Sequence, residues 1–391
     1  MAAAVIRRHQ VAVSVFVLGH ICATGCGGNA QPPAVRDVRW KAYAVQQHGC
    51  AHTVQLRDAN RFDGVYTLSS DRNILACSRR TNTEDNAPYG IYVIEIASGK
   101  QLTRLKGHLD STQCLSFTTD GRRIISGGGE SGDVRVWNVD PPRELARIAA
   151  HAKYVRCVAC CPLRDEAASG GDDGTIALFS LNPLRIRKRL VGHSGGIRCL
   201  AWSSDGTKLL SGSWDGSIRL WDVSSGNNLF TGQTKFGRVM SIALSPDGTL
   251  ALSTFLNGPD QPVLLWDVQA GSEVNRFSIP GNPWHANREL HVTSVSFSPD
   301  STSALFGTAF GSIIWWDVSE WRQMSHNVMY QGEVSEVAFS VDGKEAISIG
   351  FNSDAALTIA SLRVWRLPVA RSQEEQGDKP PLEDAGPGDR K

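Results

Sequence analysis

Hydrophobic and polar positions alternate in short runs along this chain, and the runs return at a fixed interval. Ile197 to Trp202 alternates and predicts a strand, Ser203 to Gly206 predicts a turn, and Lys208 to Ser213 predicts a second strand. Trp214-Asp215-Gly216 reads as a hairpin turn, since Asp-Gly accepts the positive φ of a two-residue connection. Ser217 to Asp222 is then a third strand and Asn228 to Gly232 a fourth. The same order recurs, and each third strand closes on Trp-Asp or a related pair. The closers are Ile94-Glu95, Trp137-Asn138, Phe179-Ser180, Trp221-Asp222, Trp266-Asp267, Trp316-Asp317 and Trp365-Arg366, spaced by 43, 42, 42, 45, 50 and 49 residues.

A sevenfold period of this size predicts a repeat architecture. A second marker keeps the beat. Tight-turn tetrads stand at Ser69–Arg72, Thr118–Gly121, Ser203–Gly206, Ser245–Gly248, Ser298–Ser301 and Ser340–Gly343, and the third repeat has the weaker Cys161–Arg164. Four short antiparallel strands cannot bury their faces alone. Stacked around an axis they cover one another and leave only short edges. The expectation is an all-β chain, a seven-bladed β-propeller of four-stranded antiparallel blades over residues 38–368.

These residues resemble the WD-repeat family, whose blades begin on Gly-His and end on Trp-Asp. The resemblance implies a buried cluster of His, Ser or Thr, Asp and Trp, matched here by His193, Ser211, Asp215 and Trp221. Repeat three would use His151, Ser169 and Asp173, but Phe179 lacks an indole N–H. Repeat two has His108, Ser126 and Trp137, with Ser131 where the Asp belongs. Losing a buried hydrogen bond of this kind costs about 1–3 kcal/mol, so these residues read as structural staples and not as catalysts. The family closes its ring by pairing an N-terminal strand with the last blade; Val38 to Gln47 is the expected partner here.

The ends of the chain differ from its middle. Arg7 and Arg8 precede the apolar Val11–Gly19, and Ala23, Thr24 and Gly25 precede Cys26, the layout of a secretory signal over residues 1–25. Ala23-Thr24-Gly25-Cys26 resembles the lipobox of bacterial lipoproteins, with Ala23 in place of a larger aliphatic. The expectation is export to the cell envelope, with Cys26 as the lipidation residue and a simple cut at the same point as the alternative. Residues 26–37 read as a tether, and 369–391, almost without apolar residues, as a disordered tail. The formal charge of the chain is +1, which attracts nucleic acid over no large surface.

Chemical motifs change this picture little. Gly192-His193-Ser194-Gly195-Gly196 fits a hydrolase pattern that requires a strand-to-helix elbow, but it stands where a blade begins. Cys114, Cys157 and Cys199 share one strand position, as small buried hydrophobes would. Cys157-x-x-Cys160-Cys161 places its thiols on opposite strand faces and lacks partners for a tetrahedral metal site. Free thiols sit uneasily with export. Arg185, Arg187 and Arg189 alternate on one strand, either to bind an anion or, more simply, to guard a sheet edge. No cofactor, metal or catalytic residue is expected.

Loop lengths suggest where a partner would touch. Insertions at 79–90, 255–262, 280–291 and 351–361 gather on repeats five, six, seven and one, and Tyr89, Phe255, Trp284 and Phe351 lie on them, with Phe310 and Trp214 nearby. Aromatics on elaborated loops are common binding anchors. The equally weighted alternative is that these rings pack the loops together. The expected function is a non-enzymatic, monomeric platform for a protein or peptide. An exported propeller enzyme or a small-ligand or glycan binder is the rival.

Overall fold

The computed structural model describes residues 41–42, 50–56, 65–71, 73–78, 90–108, 110–256, 262–277, 291–354 and 357–367. Among the described residues every regular element is a strand, and the strands form seven antiparallel sheets. Sheet one holds Val65–Leu68, Ile74–Ser78, Gly90–Glu95 and Gln101–Lys106, and sheet two Thr112–Phe117, Arg123–Gly128, Asp133–Asn138 and Arg143–Ala149. Sheet three holds Val155–Cys160, Glu166–Gly171, Ile176–Leu181 and Leu184–Leu190, and sheet four Ile197–Trp202, Lys208–Ser213, Ser217–Asp222 and Asn228–Gln233. Sheet five holds Arg238–Leu244, Leu250–Leu256, Val263–Asp267 and Ser272–Phe277, and sheet six Val292–Phe297, Ser303–Thr308, Ser312–Asp317 and Arg322–Val328. Sheet seven runs Val334–Phe339, Glu345–Asp354 and Leu357–Arg366, then Cys50–Leu56 and the two-residue Lys41–Ala42.

From sheet one to sheet seven, the first strand of one sheet packs beside the first strand of the next, which makes these the inner strands. Apolar side chains fill the spaces between sheets. Cys114, Val155 and Ile197 bridge sheets two, three and four, while Tyr66 and Leu75 of sheet one meet Ile347 and Leu362 of sheet seven. The last contact closes the ring. The result is a seven-bladed β-propeller, with four strands in each of sheets one to six.

Closure uses an N-terminal strand, as expected, but a different one. Cys50–Leu56 pairs antiparallel with Leu357–Arg366, and Val54 stands opposite Leu362. The expected 38–47 segment contributes only Lys41–Ala42, which lies outside it, opposite Gln55 and Val54. The strand that closes the ring is chosen by its register against a strand about 300 residues away, which no local pattern specifies. Phe351 to Ser361 is also not a loop. Glu345–Asp354 and Leu357–Arg366 continue pairing to Asp354 opposite Leu357, so this insertion lengthens a hairpin.

Antiparallel strands put connections at two ends of the ring. One end carries the tetrad turns, such as Ser203–Gly206. There Ser203 Oγ donates to Asp205 Oδ1 at 2.6 Å, Thr207 N donates to the same oxygen at 2.9 Å, and Gly206 adopts φ 66°. The other end carries the turns between second and third strands and the segments that lead into each inner strand. That end is the rim discussed next.

Candidate interaction surface

Two sets of equivalent positions converge on the rim. Each inner strand of sheets two to seven has a bulge near its start, and the extra residue is Gln113, Arg156, Arg198, Met240, Thr293 or Ser335. A bulge re-aims the side chain that it carries. The residue just before the inner strand of sheets three and seven is Tyr154 and Glu333, and Arg238 opens the inner strand of sheet five. Asp172 and Trp214 each follow the second strand of their sheets.

In sheets two to five these positions form one continuous ladder. The Tyr154 hydroxyl donates to Glu130 Oε1 at 3.3 Å. The Arg156 guanidinium lies over the Tyr154 ring, 4.6 Å from its centre, and grips Asp172 through Nε to Oδ1 at 2.7 Å and Nη2 to Oδ2 at 2.6 Å. It also reaches the Trp214 ring at 5.3 Å, and Arg238 approaches the same ring at 5.1 Å. A bidentate carboxylate fixes the guanidinium plane, and each cation–π contact adds about 0.5–1 kcal/mol where water is near. Trp214 is thus a half-buried indole in contact with two guanidiniums, one neutralised by Asp172 and one exposed.

Two polar residues at the starts of inner strands are charge-tuned. Burial pulls the Arg198 guanidinium down to about 10, with the neighbouring Arg156 acting in the same direction. Burial pushes the Glu333 carboxyl up to about 7 and outweighs the opposing field of Arg198. A half-buried carboxyl of sheet seven and a buried guanidinium of sheet four thus lie within reach of each other's charge.

The staple cluster lies under the same rim. Trp221 Nε1 donates to Ser211 Oγ at 2.8 Å, Ser211 Oγ meets His193 Nε2 at 2.8 Å, and His193 Nδ1 meets Asp215 Oδ2 at 2.9 Å. The carboxylate fixes the tautomer with the proton on Nδ1, so Ser211 donates to Nε2. Burial would raise the Asp215 carboxyl, but bonds from His193 and Ser217 outweigh it and hold it well below the ordinary range. In sheet three the chain runs from Asp173 through His151 to Ser169 and stops, since Phe179 has no donor. In sheet two Trp137 and His108 both meet Ser126, at 2.7 and 2.6 Å, but His108 Nδ1 has no hydrogen-bond partner among the described residues. Burial, aided by Arg135, drives that imidazole down to about 4.

Sheet seven uses a substitute that sequence reading missed. Tyr330 stands where His193 stands in sheet four, and its hydroxyl meets Ser348 Oγ at 2.8 Å while Trp365 Nε1 donates to that oxygen at 2.9 Å. Phe310 stands at the register of Asp215, after the second strand of sheet six, and is half-buried. Ser194 of the Gly-His-Ser-Gly motif offers its backbone N–H to Asp215 Oδ2 at 3.0 Å and leads into a strand. Cys114, Cys157, Cys160, Cys161 and Cys199 are buried free thiols. Among the described residues no group of three His, Cys, Asp or Glu side chains could hold a metal.

Of the six aromatics expected to form a binding arc, only Trp214 and Phe310 sit on the described rim with some exposure. Phe255 is a correction: it is 0% exposed and packs on Phe236 with ring centres 5.9 Å apart, inside the core between sheets. It sits at the end of the second strand of sheet five, opposite Val239, before the insertion begins. Tyr89, Trp284, Cys26 and the Phe351 side chain lie outside the described residues. The ladder residues Tyr154, Arg156, Asp172 and Arg238 were not anticipated. Their signal was available: superposing the repeats puts Asp172 and Trp214 in one column, and the contacts cross between neighbouring repeats.

Comparison with known proteins agrees with this architecture. The family of the WD domain, G-beta repeat, matches residues 99–138, 142–180 and 184–222. Each matched window starts near the outer strand of one sheet and ends with the third strand of the next, so every repeat staples two sheets. The chain is 30% identical over 86 residues to the activating molecule in BECN1-regulated autophagy protein 1A of Danio rerio, a match covering 22% of this chain and 6% of that protein. It is 41% identical over 49 residues to the protein ROOT INITIATION DEFECTIVE 3 of Arabidopsis thaliana, covering 12% and 11%. The matches thus span only a small part of the length of these relatives. A chain in the crystal structure of a mitotic checkpoint complex superposes with a TM-score of 0.64 at 20% identity, over 90% of this chain and 99% of that one. These findings support the WD-repeat propeller family, and the structural likeness is one of fold.

Proposed function

We propose that the chain is a non-enzymatic protein-interaction scaffold whose docking surface is the rim of sheets two to five, centred on Trp214. The observation that carries this reading is the contact of two guanidiniums, Arg156 and Arg238, with the Trp214 indole. Trp and Arg are the residue types most enriched at interface hot spots, and here they are held on a rigid ring. The WD-repeat match is consistent with such a role, and the proteins named above include one named as an activating molecule in BECN1-regulated autophagy and one within a checkpoint complex. Fold alone does not assign a function, so the weight rests on the ladder.

The test is affinity capture from the native envelope fraction with the wild-type protein, Trp214→Ala and Arg238→Glu in parallel. A specific partner should be depleted at least tenfold by both variants while melting temperatures stay within about 2 °C, because both changes lie at a partly exposed surface. Equal capture by all three would overturn the rim assignment. The same material tests location: the reading includes export and acylation at Cys26, and intact mass of the purified protein distinguishes cleaved, acylated and full-length forms.

A rival reading, a small ligand bound at the inner-strand starts, is favoured by one observation, the Glu333 carboxyl pushed up to about 7 by burial against the opposing field of Arg198. Residues so perturbed cluster at functional sites. A ligand-dependent change in the pH titration of Glu333 would promote that reading over the scaffold.

A further inference from the structure

The outer strands carry a second periodic feature, and sheet three breaks it. In sheets one to six the outer strand has a register shift beside the closing residue. The extra residue is exposed and apolar in five sheets: Leu102 at 45%, Leu145 at 41%, Leu229 at 52%, Val274 at 56% and Met324 at 37%. In sheet three it is Arg187, whose side chain is 53% exposed.

Arg187 does not point into open solvent alone. It borders a groove of about 410 Å³ between sheets three and four, at the tetrad-turn end of the ring and away from the rim. That volume is within the range of ligand-binding clefts. The floor includes the rings of Phe179 and Trp202. Phe179 is a smaller ring than the tryptophan that closes sheets two, four, five, six and seven, so the substitution that cuts the staple short also removes bulk from this groove.

Charge on the walls is arranged and not merely present. Glu166 holds two guanidiniums at once: Arg164 through Nε to Oε2 at 3.1 Å, and Arg187 through Nη1 to Oε1. Arg164 Nη2 also donates to the Gly206 carbonyl, and Lys188 Nζ to the Ser224 carbonyl at 2.5 Å. Arg187 Nε and Nη2 and Arg164 Nη1 have no partner among the described residues. Asp222, on the far wall, has its charge satisfied by the Ser225 N–H and by the Ser224 and Ser225 hydroxyls, which hold its carboxyl at about 2. The groove thus presents two oriented guanidiniums whose spare donors fit planar carboxylates. Edge protection accounts for basic residues along the outer strands, such as Arg104, Arg147, Arg276 and Arg322, but among sheets one to six only the bulge of sheet three carries one.

We propose that this groove binds an acidic peptide segment of a protein partner, with Asp or Glu carboxylates seated on Arg187 and Arg164. The groove walls hold three cations, Arg164, Arg187 and Lys188, against two carboxylates, Glu166 and Asp222. A net excess of about one charge suits spaced carboxylates and gives little attraction for a dense polyanion.

The experiment is fluorescence anisotropy on the full chain with a labelled twelve-residue Glu/Ser peptide and its Gln/Ser counterpart. The Glu peptide should bind with an affinity that falls as salt rises, and the Gln peptide should bind at least tenfold more weakly. Arg187→Leu installs the residue found at this bulge in sheets one, two and four, so it should keep the melting temperature while weakening the Glu peptide at least tenfold. Arg164→Gln should weaken it similarly, and Trp214→Ala should leave it unchanged, which separates this site from the rim. Undiminished binding by Arg187→Leu, equal binding of the Gln peptide, or tighter binding of a sulfated oligosaccharide than of the Glu peptide would overturn the proposal.

Discussion

At the scale of single residues, Ser211 is the point on which an indole and an imidazole converge. Its hydroxyl accepts from Trp221 and donates to His193, and it is fully buried. Ser211→Ala leaves an indole N–H and an imidazole nitrogen unmatched and should cost about 2–3 kcal/mol in chemical denaturation. Ser169→Ala in sheet three strands only His151, since Phe179 has nothing to lose, and should cost about 1–1.5 kcal/mol. Equal losses would show that the indole bond contributes nothing. His108 makes a second residue-scale prediction. Its folded value of about 4 lies below the ordinary 6.5. The unfolded chain then binds the extra proton between those limits, so stability falls as pH drops from 6.5 towards 4. The gap is worth on the order of 3 kcal/mol. The stability difference between the wild type and His108→Asn should therefore shrink by about that amount across this window, measured by urea titration at each pH.

At the scale of elements, the tetrad turns show how one position fixes a blade. Gly121, Gly206, Gly248 and Gly343 occupy it with φ between 66° and 73°, and sheet six places Ser301 there at φ 66°. A non-glycine residue in this region is strained by about 1 kcal/mol or more. Ser301→Gly should raise stability by roughly 0.5–1 kcal/mol, read as a shift in the denaturation midpoint without a change in slope. Sheet seven makes the larger element-scale prediction. Removing residues 41–56 takes away its outer strands and bares the edge of Leu357–Arg366. Such an edge invites pairing with another chain, so the shortened protein should lose its cooperative melt or self-associate in sedimentation. An unchanged melt of a monomer would show that the strand is dispensable.

At the scale of the whole molecule, what could be read in advance follows from what is local. The recurring Trp-Asp closers and Ser-x-Asp-Gly turns specify strands and turns within one repeat, and the four strands of sheet four lie where the alternation put them, ending one residue later at Gln233. The staple of His193, Ser211, Asp215 and Trp221 is internal to one repeat in the same way. What escaped crosses repeats. Cys50–Leu56 takes its register from a strand at the far end of the chain, Arg156 meets Trp214 from the neighbouring sheet, and the apolar position of Phe255 looks the same whether it faces a partner or the next blade. Tyr330 shows the converse, a long hydroxyl side chain doing the work of a histidine that the pattern would have demanded.

The central claim is that the rim around Trp214 is where a protein partner docks. The most direct measurement is site-specific photo-crosslinking in the native cell, with the photoreactive residue at Lys235, exposed on the rim beside the ladder, and, in a separate variant, at Arg322 on the outer strand of sheet six. A discrete protein adduct at position 235 that disappears with Trp214→Ala, and none at 322, is the predicted result. Adducts of the same partner at both positions, or at 322 alone, would contradict it.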